Sequence, residues 1–180
     1  MSLDTPLHKL IANAVLFQIG WFACVLGGTG PWLLVPAAIL CVHFFWISSW
    51  AAEGKLVVTV VLAGSAIDSF LLQTGVFEFP GDSLIVPLWL AALWAMLATT
   101  LNHCLDWTAR RVWLASLLGA VSGPLSYFAG ATLSDVRLPL EQLTTLAILV
   151  TVWAVVFPLL HGFAHIYRQQ WLIKQMANKR

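Results

Sequence analysis

The chain has 180 residues, 60% of them hydrophobic and only 9% charged, where a soluble domain carries about 25% charged residues. Its basic residues are scattered and leave a formal net charge of +1, which excludes an electrostatic footprint for nucleic acid. Its cysteines, Cys24, Cys41 and Cys104, are odd in number and each lies inside an apolar run, so neither a disulfide framework nor a thiolate zinc site is supported.

These numbers predict an all-α membrane protein, a single integral membrane domain built as a six-transmembrane-helix bundle with spans at 10–28, 31–52, 56–74, 85–104, 112–132 and 143–163. At about 20 residues per span, the spans consume roughly two thirds of the chain and leave no room for a separate soluble catalytic domain. The first run is longer than a signal-peptide core and no A-x-A-like site follows it, so it reads as a retained helix. Its Ala23 and Gly27 form a small-x-x-x-small pair suited to close helix packing. Gly27, Gly28, Gly30 and Pro31 turn the chain into the second span, which carries His43 and Trp46. The third span carries Asp68. The longest connector, with Pro80, Gly81 and Pro87, leads to the fourth, which ends in Asn102-His103 with Asp106 just beyond. The fifth holds Gly119 and Gly123 in a G-x-x-x-G pattern, and Pro124 beside them predicts a structural hinge. The sixth carries His161 and His165, and residues 164–180 read as a basic cytoplasmic tail whose Trp171, Leu172 and Ile173 suit a short interfacial helix.

Lys9, Lys55, Arg110, Arg111, Arg168, Lys174, Lys179 and Arg180 fall on one side of this arrangement and only Arg137 on the other. The positive-inside rule makes the first side cytoplasmic, with both termini there. Glu78, Asp82, Asp135 and Glu141 then lie outside. Trp32 and Trp89 near outer ends, and Trp50, Trp107, Trp113 and Trp171 near inner ends, read as interfacial anchors. Trp21, Trp46, Trp94 and Trp153 lie deeper and read as packing between helices, with an aromatic-lined cavity as the alternative.

Ionisable groups inside a span are costly and face protein or water, which makes them candidates for function. Counting about 1.5 Å of rise per residue from the cytoplasmic ends, Asp68 lies about 18 Å up its span, His43 about 13 Å, and Gln18 and Ser122 about 13 to 15 Å. A mid-membrane polar site of Asp68, His43, Gln18 and Ser122 is the expectation, binding a proton, an ion or a polar substrate group. The structural alternative is an interhelical hydrogen bond made by a neutral Asp68, worth about 1 kcal/mol. A second group, Asn102, His103, Asp106 and His161, lies at the cytoplasmic interface. His161 and His165, one turn apart, with His103 at the same level, are the only metal-like spacing, and without an H-E-x-x-H or similar motif no metal or cofactor is expected. No Walker motif, G-x-S-x-G elbow or dinucleotide fingerprint is present.

The pattern resembles a family of small bacterial inner-membrane proteins, the domain-of-unknown-function 2878 family. The residues that carry the likeness are Asn13 to Leu26 with Gly20-Trp21, His43 with Trp46, Asp68, Pro87 to Trp94 with Thr100 to His103, and Gly119 to Gly130 with Gly123-Pro124. The resemblance implies an integral membrane protein without an assigned activity, associated with envelope lipid metabolism, and it supplies no catalytic residues. The functional expectation is a multi-pass protein of a bacterial inner membrane. It would pass a small solute or ion through the mid-membrane polar site, or serve as an accessory subunit to a membrane partner or a second copy of itself. The alternative is a membrane-embedded enzyme of envelope lipids working at the cytoplasmic interface. Membrane lipids are the expected partners and nucleic acid is not.

Overall fold

A computed structural model describes residues 6–80 and 83–178. Gly81 and Asp82 of the long connector, and Lys179 and Arg180 of the basic tail, lie outside the described residues. Among those described, the chain forms six α-helices and no strand: α1 Leu7–Gly27, α2 Leu34–Val42, α3 Trp50–Gln73, α4 Leu88–Ala98, α5 Val112–Leu133 and α6 Gln142–Ala177. Four of them, α1, α3, α5 and α6, are long and apolar enough to cross a membrane, whereas α2 and α4 are short apolar helices.

The surface is apolar in a way that water would penalise. Ile11, Val15, Ile19, Phe22 and Leu26 are exposed along one side of α1 at spacings of three and four, and Leu117, Val121 and Leu125 repeat the pattern on α5. Such a stripe is a liability in a soluble monomer and the natural exterior of a protein in hydrocarbon.

Inside, large rings pack against glycines. The indoles of Trp94 on α4 and Trp153 on α6 are stacked, with centroids 5.3 Å apart and planes 2° from parallel. Gly64 on α3 lies against Trp94, and Gly123 on α5 against Trp153, each so close that a Cβ would overlap the ring. Gly119 approaches the Trp153 carbonyl in the same way, so both glycines of the G-x-x-x-G pattern face α6. Pro124, buried one residue further on, lies within an α5 that stays helical through Leu133. Leu56, Val60, Leu101, Phe157 and Leu160 complete this core.

Two of the expected spans depart from regular helix. The second, read as 31–52, is a 3-10 turn at Pro31–Leu33, then α2, then a π-turn at His43–Ile47 closed by Ser48 N–H donating to His43 O at 2.8 Å. A break at Ser48 and Ser49 follows. Ser49 caps α3, its Oγ accepting from Ala52 N–H at 3.3 Å, so Trp50 to Ala52 belong to the third helix rather than the second. The fourth, read as 85–104, is helical only to Ala98. Thr99 to Leu105 form consecutive turns, and a 3-10 segment, Asp106–Arg110, leads into α5.

Irregular backbone in an apolar interior must find partners for its freed polar groups. The hydroxyls of Thr99, Thr100 and Thr108 donate to Met96 O, Leu97 O and Leu105 O at 2.7, 2.6 and 2.7 Å. Asn13 of α1 adds a two-sided clamp, its Nδ2 donating to Thr99 O at 3.1 Å and its Oδ1 accepting from Cys104 N–H at 3.4 Å.

The tail expected as a separate interfacial helix is instead the continuation of α6, which runs unbroken for 36 residues through Pro158. At the opposite end α3 closes on Thr74 and Gly75. Gly75 takes φ 73°, Val76 N–H donates to Leu71 O and Gly75 N–H to Leu72 O, the Schellman pattern that glycine permits. Glu78 and Arg137 then exchange backbone hydrogen bonds of 2.9 Å, tying the connector after α3 to the one after α5.

Candidate functional site

Each break in the helices delivers a polar side chain to one place. The π-turn presents His43, the first turn of α3 presents Glu53, and the turns after α4 present Asn102 and His103. His43 Nε2 donates to Glu53 Oε2 at 2.8 Å, and His103 Nε2 donates to Glu53 Oε1 at 3.0 Å. Asn102 Nδ2 reaches the same Oε1 at 3.3 Å. The imidazoles meet edge to face with centroids 5.2 Å apart, and the Phe44 ring also packs edge to face on His43. All three members are buried, with relative exposures of 1% for His43, 6% for Glu53 and 8% for His103.

Two of the three, Glu53 and His103, lie in the wall of a pocket of about 430 Å³ at the end of the bundle where α1 begins and α6 continues past the core, and His43 sits behind Glu53. Glu53, His103 and Asn102 line it together with Lys9, Arg168, Trp46 and Trp171. Lys9 Nζ donates to Trp46 O at 2.6 Å, satisfying a carbonyl of the π-turn, and sits 5.9 Å from the Trp46 ring centroid. Arg168 pairs with Asp106 at 3.0 Å, a half-exposed ion pair that holds the guanidinium beside the opening.

The expected pairing of His43 with Asp68 is not formed. Its height of about 13 Å assumes a uniform helix ending at Ala52, and the break at Ser48 and Ser49 removes that premise. His43 contacts Glu53, and Asp68 lies roughly 22 Å further along α3 at about 1.5 Å per residue. Asp68 is fully buried and has its own partners: Trp94 Nε1 donates to Oδ2 at 2.6 Å and the Tyr127 hydroxyl donates to Oδ1. Gln18 and Ser122 line a larger cleft of about 630 Å³ between α1 and α5, together with Trp21, Trp94, Tyr127 and Trp153. The cleft therefore gathers two of the four expected mid-membrane residues around the rings that cover a third. Trp21, Trp94 and Trp153 line a cavity as well as packing, and Trp46 belongs to the other pocket.

Of the interface candidates, Asn102 and His103 join the trio, while Asp106 reaches the pocket only through Arg168. His161 is turned away, its Nε2 hydrogen-bonded to Thr108 Oγ1 at 2.7 Å and its ring edge-on to Phe157. His165 is exposed on α6. The set of His103, His161 and His165 is thus not assembled around one point. Sequence reasoning misses Glu53 because it lies between two apolar runs and reads as part of a connector. The signal that locates it is Ser49 as a helix cap with an acid in the turn that follows.

A family model described as protein of unknown function (DUF2878) matches residues 10–159, so the chain belongs to that family. No curated protein and no solved structure matches it.

Proposed function

We propose that this chain is a six-span protein of a bacterial inner membrane with both termini cytoplasmic, and that it works at the cytoplasmic end of its bundle as a membrane-embedded enzyme acting on the head group of a membrane lipid. The observation that carries the reading is a buried carboxylate held between two imidazoles in the wall of an open pocket that Lys9 and Arg168 also line. Cations placed beside a desolvated polar cluster suit a phosphate or carboxylate head group. Trp46 and Trp171 suit the depth at which such groups lie. In this reading the second and fourth spans cross as broken helices, which membrane interiors tolerate where irregular backbone is covered by protein or lines a cavity.

The test is lipid profiling of a null strain complemented with wild type, with Glu53→Gln or with Lys9→Glu plus Arg168→Glu. A lipid species that disappears in the null strain, returns with wild type and fails to return with either variant supports the proposal. Identical lipid profiles in the null and wild-type strains sink it.

A second reading, passage of a proton or small solute, is favoured by a different observation. Asp68 is fully buried behind Trp94 and Tyr127, at the back of the cleft lined by Gln18 and Ser122. It ranks second because both Asp68 oxygens are taken by protein donors and neither faces the opening, whereas Glu53 lines its pocket directly. Uptake or leak in proteoliposomes that Asp68→Asn abolishes would reverse the ranking.

A further inference from the structure

His43, Glu53 and His103 come from three segments and bring one ligating atom each to within 4.8 Å of the others. A π-turn in a helix frequently marks a functional position, and here it is what turns His43 toward Glu53.

As a hydrogen-bonded cluster the trio does not close on itself. Glu53 receives both Nε2 hydrogens, and the Nδ1 atoms of His43 and His103 are left buried without a partner. Buried polar atoms in a purely structural network are nearly always paired. No Lys or Arg pairs with the carboxylate among the described residues. Among the described residues its only ion-pair partners are these two histidines, and a buried charge needs a counter-charge.

We propose that His43, Glu53 and His103 bind a divalent first-row transition-metal ion, zinc or ferrous iron, with an open coordination position toward the pocket. Two imidazoles and one carboxylate with a free position are the donor set of catalytic zinc sites and of non-haem iron(II) sites. Calcium and magnesium prefer all-oxygen shells, and copper(I) prefers sulfur, so this trio suits neither class. Around a tetrahedral zinc ion with bonds of about 2.0–2.2 Å, neighbouring ligand atoms stand about 3.4 Å apart; the two histidine–carboxylate spacings of 2.8 and 3.0 Å, made to different Glu53 oxygens, bracket that value from below, and the 4.8 Å that encloses all three ligand atoms brackets it from above. One divalent ion then takes the place of the two bridging hydrogens, which move to the Nδ1 atoms as each imidazole adopts its other neutral tautomer, and it sets a fixed positive charge against the carboxylate. Asn102, already 3.3 Å from Glu53 Oε1, is placed to orient the carboxylate from outside the ligand set.

The assignment of this pocket as the working end rests on the proposed function, but the metal is measured without reference to lipid. Protein purified in detergent without a polyhistidine tag is analysed for zinc and iron, then stripped with chelator and titrated with Co²⁺ by visible absorption. About one ion per chain is expected in the first measurement or one Co²⁺ equivalent in the second, the stoichiometry of a single site. Glu53→Gln and His103→Ala should each abolish it, while His165→Ala, outside the trio, should retain it. Monodisperse elution and helical circular dichroism establish that each variant is folded. A stripped, folded wild type that takes up neither Zn²⁺ nor Co²⁺ to one equivalent overturns the proposal, and so does a folded His103→Ala that still binds one. The wild-type titration needs no variant, so it decides the matter even where a mutant misfolds. Stoichiometric metal alongside an unchanged lipid profile in the null strain would retain the metal site and remove the enzyme reading alone.

Discussion

Trp94 donates its indole N–H to Asp68 at 2.6 Å while the face of the same ring lies on Trp153, 5.3 Å away between centroids. One side chain thus ties α3 to α4 through a polar bond and α4 to α6 through a stacked one. Tyr127 brings α5 to the same carboxylate and stands edge-on to Trp153. The bundle is joined around an acid placed where hydrocarbon would reject it, which is the physical reason that Asp68 is covered on every side.

That arrangement predicts the order of two substitutions. In Asp68→Asn the amide oxygen accepts from Trp94, and the amide nitrogen donates to Tyr127, whose hydroxyl can accept as well as donate. Folding should survive with a loss of about 1 kcal/mol or less, the usual scale of an intramembrane hydrogen bond. Trp94→Phe removes the donor outright and leaves a buried carboxylate oxygen unpaired, which costs about 1–3 kcal/mol. Thermal unfolding in detergent should rank wild type above Asp68→Asn and Asp68→Asn above Trp94→Phe. The reverse order of the two variants would mean that the hydrogen bond is not what holds α3 to α4.

The glycines make a sharper pair of expectations. Gly119→Ala pushes a methyl into the Trp153 carbonyl, and Gly123→Ala into the Trp153 ring, so each should lose about 1–3 kcal/mol by overpacking. Gly130→Ala and Gly162→Ala meet nothing within 4 Å and sit in helices, so each should be neutral or gain up to about 1 kcal/mol. Unfolding midpoints of the four variants check this, and equal losses in all four would remove the close packing of α5 on α6 as the cause.

The six helices are legible in the sequence because apolar composition reports burial in lipid almost directly. Their interruptions are not. Phe44, Phe45 and Trp46 are as apolar inside a π-turn as in a helix, and Thr99 to Cys104 carry no Gly or Pro to announce that α4 has ended. Both interruptions fall on the site. His43 and His103 stand out as titratable groups inside spans, yet their common partner Glu53 is a charged residue beside an apolar run, which reads as a loop until Ser49 is recognised as a cap. Asp68 is conspicuous for the cost of an acid at depth, but its neighbours Trp94 and Tyr127 come only from three-dimensional packing.

Topology is open to a direct test. Pro6 and Lys9 share a pocket with Arg168 and Trp171, so the start of α1 and the later part of α6 lie at one end of the bundle. With Lys9, Arg168 and the basic end of α6 at this end, the positive-inside rule predicts a cytoplasmic location for it. A fluorescent-protein fusion at the C-terminus should fluoresce, and an alkaline phosphatase fusion in the 75–84 connector should be active. An active phosphatase at the C-terminus would contradict both the orientation and the proposed cytoplasmic site.

Asn13 offers the last test, because it links the fold to the site without touching the trio. It is buried on α1 with 2% exposure, and it serves the backbone at both ends of the irregular stretch, Thr99 O and Cys104 N–H. Asn13→Ala leaves both groups unpaired in a place that water does not reach, a penalty of about 1–3 kcal/mol. Asn13→Asp keeps the acceptor for Cys104 but offers Thr99 O no hydrogen when ionised, so it should be no milder. The consequence reaches further than stability. Residues 99–105 carry Asn102 and His103 to Glu53, and loosening them should release His103 before α4 or α1 unfolds. Hydrogen exchange by mass spectrometry is the suitable readout. Faster exchange in Asn13→Ala should be confined to a peptide covering 99–105, with peptides from α3 and α6 unchanged. Uniformly faster exchange across the bundle would instead make Asn13 an ordinary core residue, with no particular hold on the segment that carries His103.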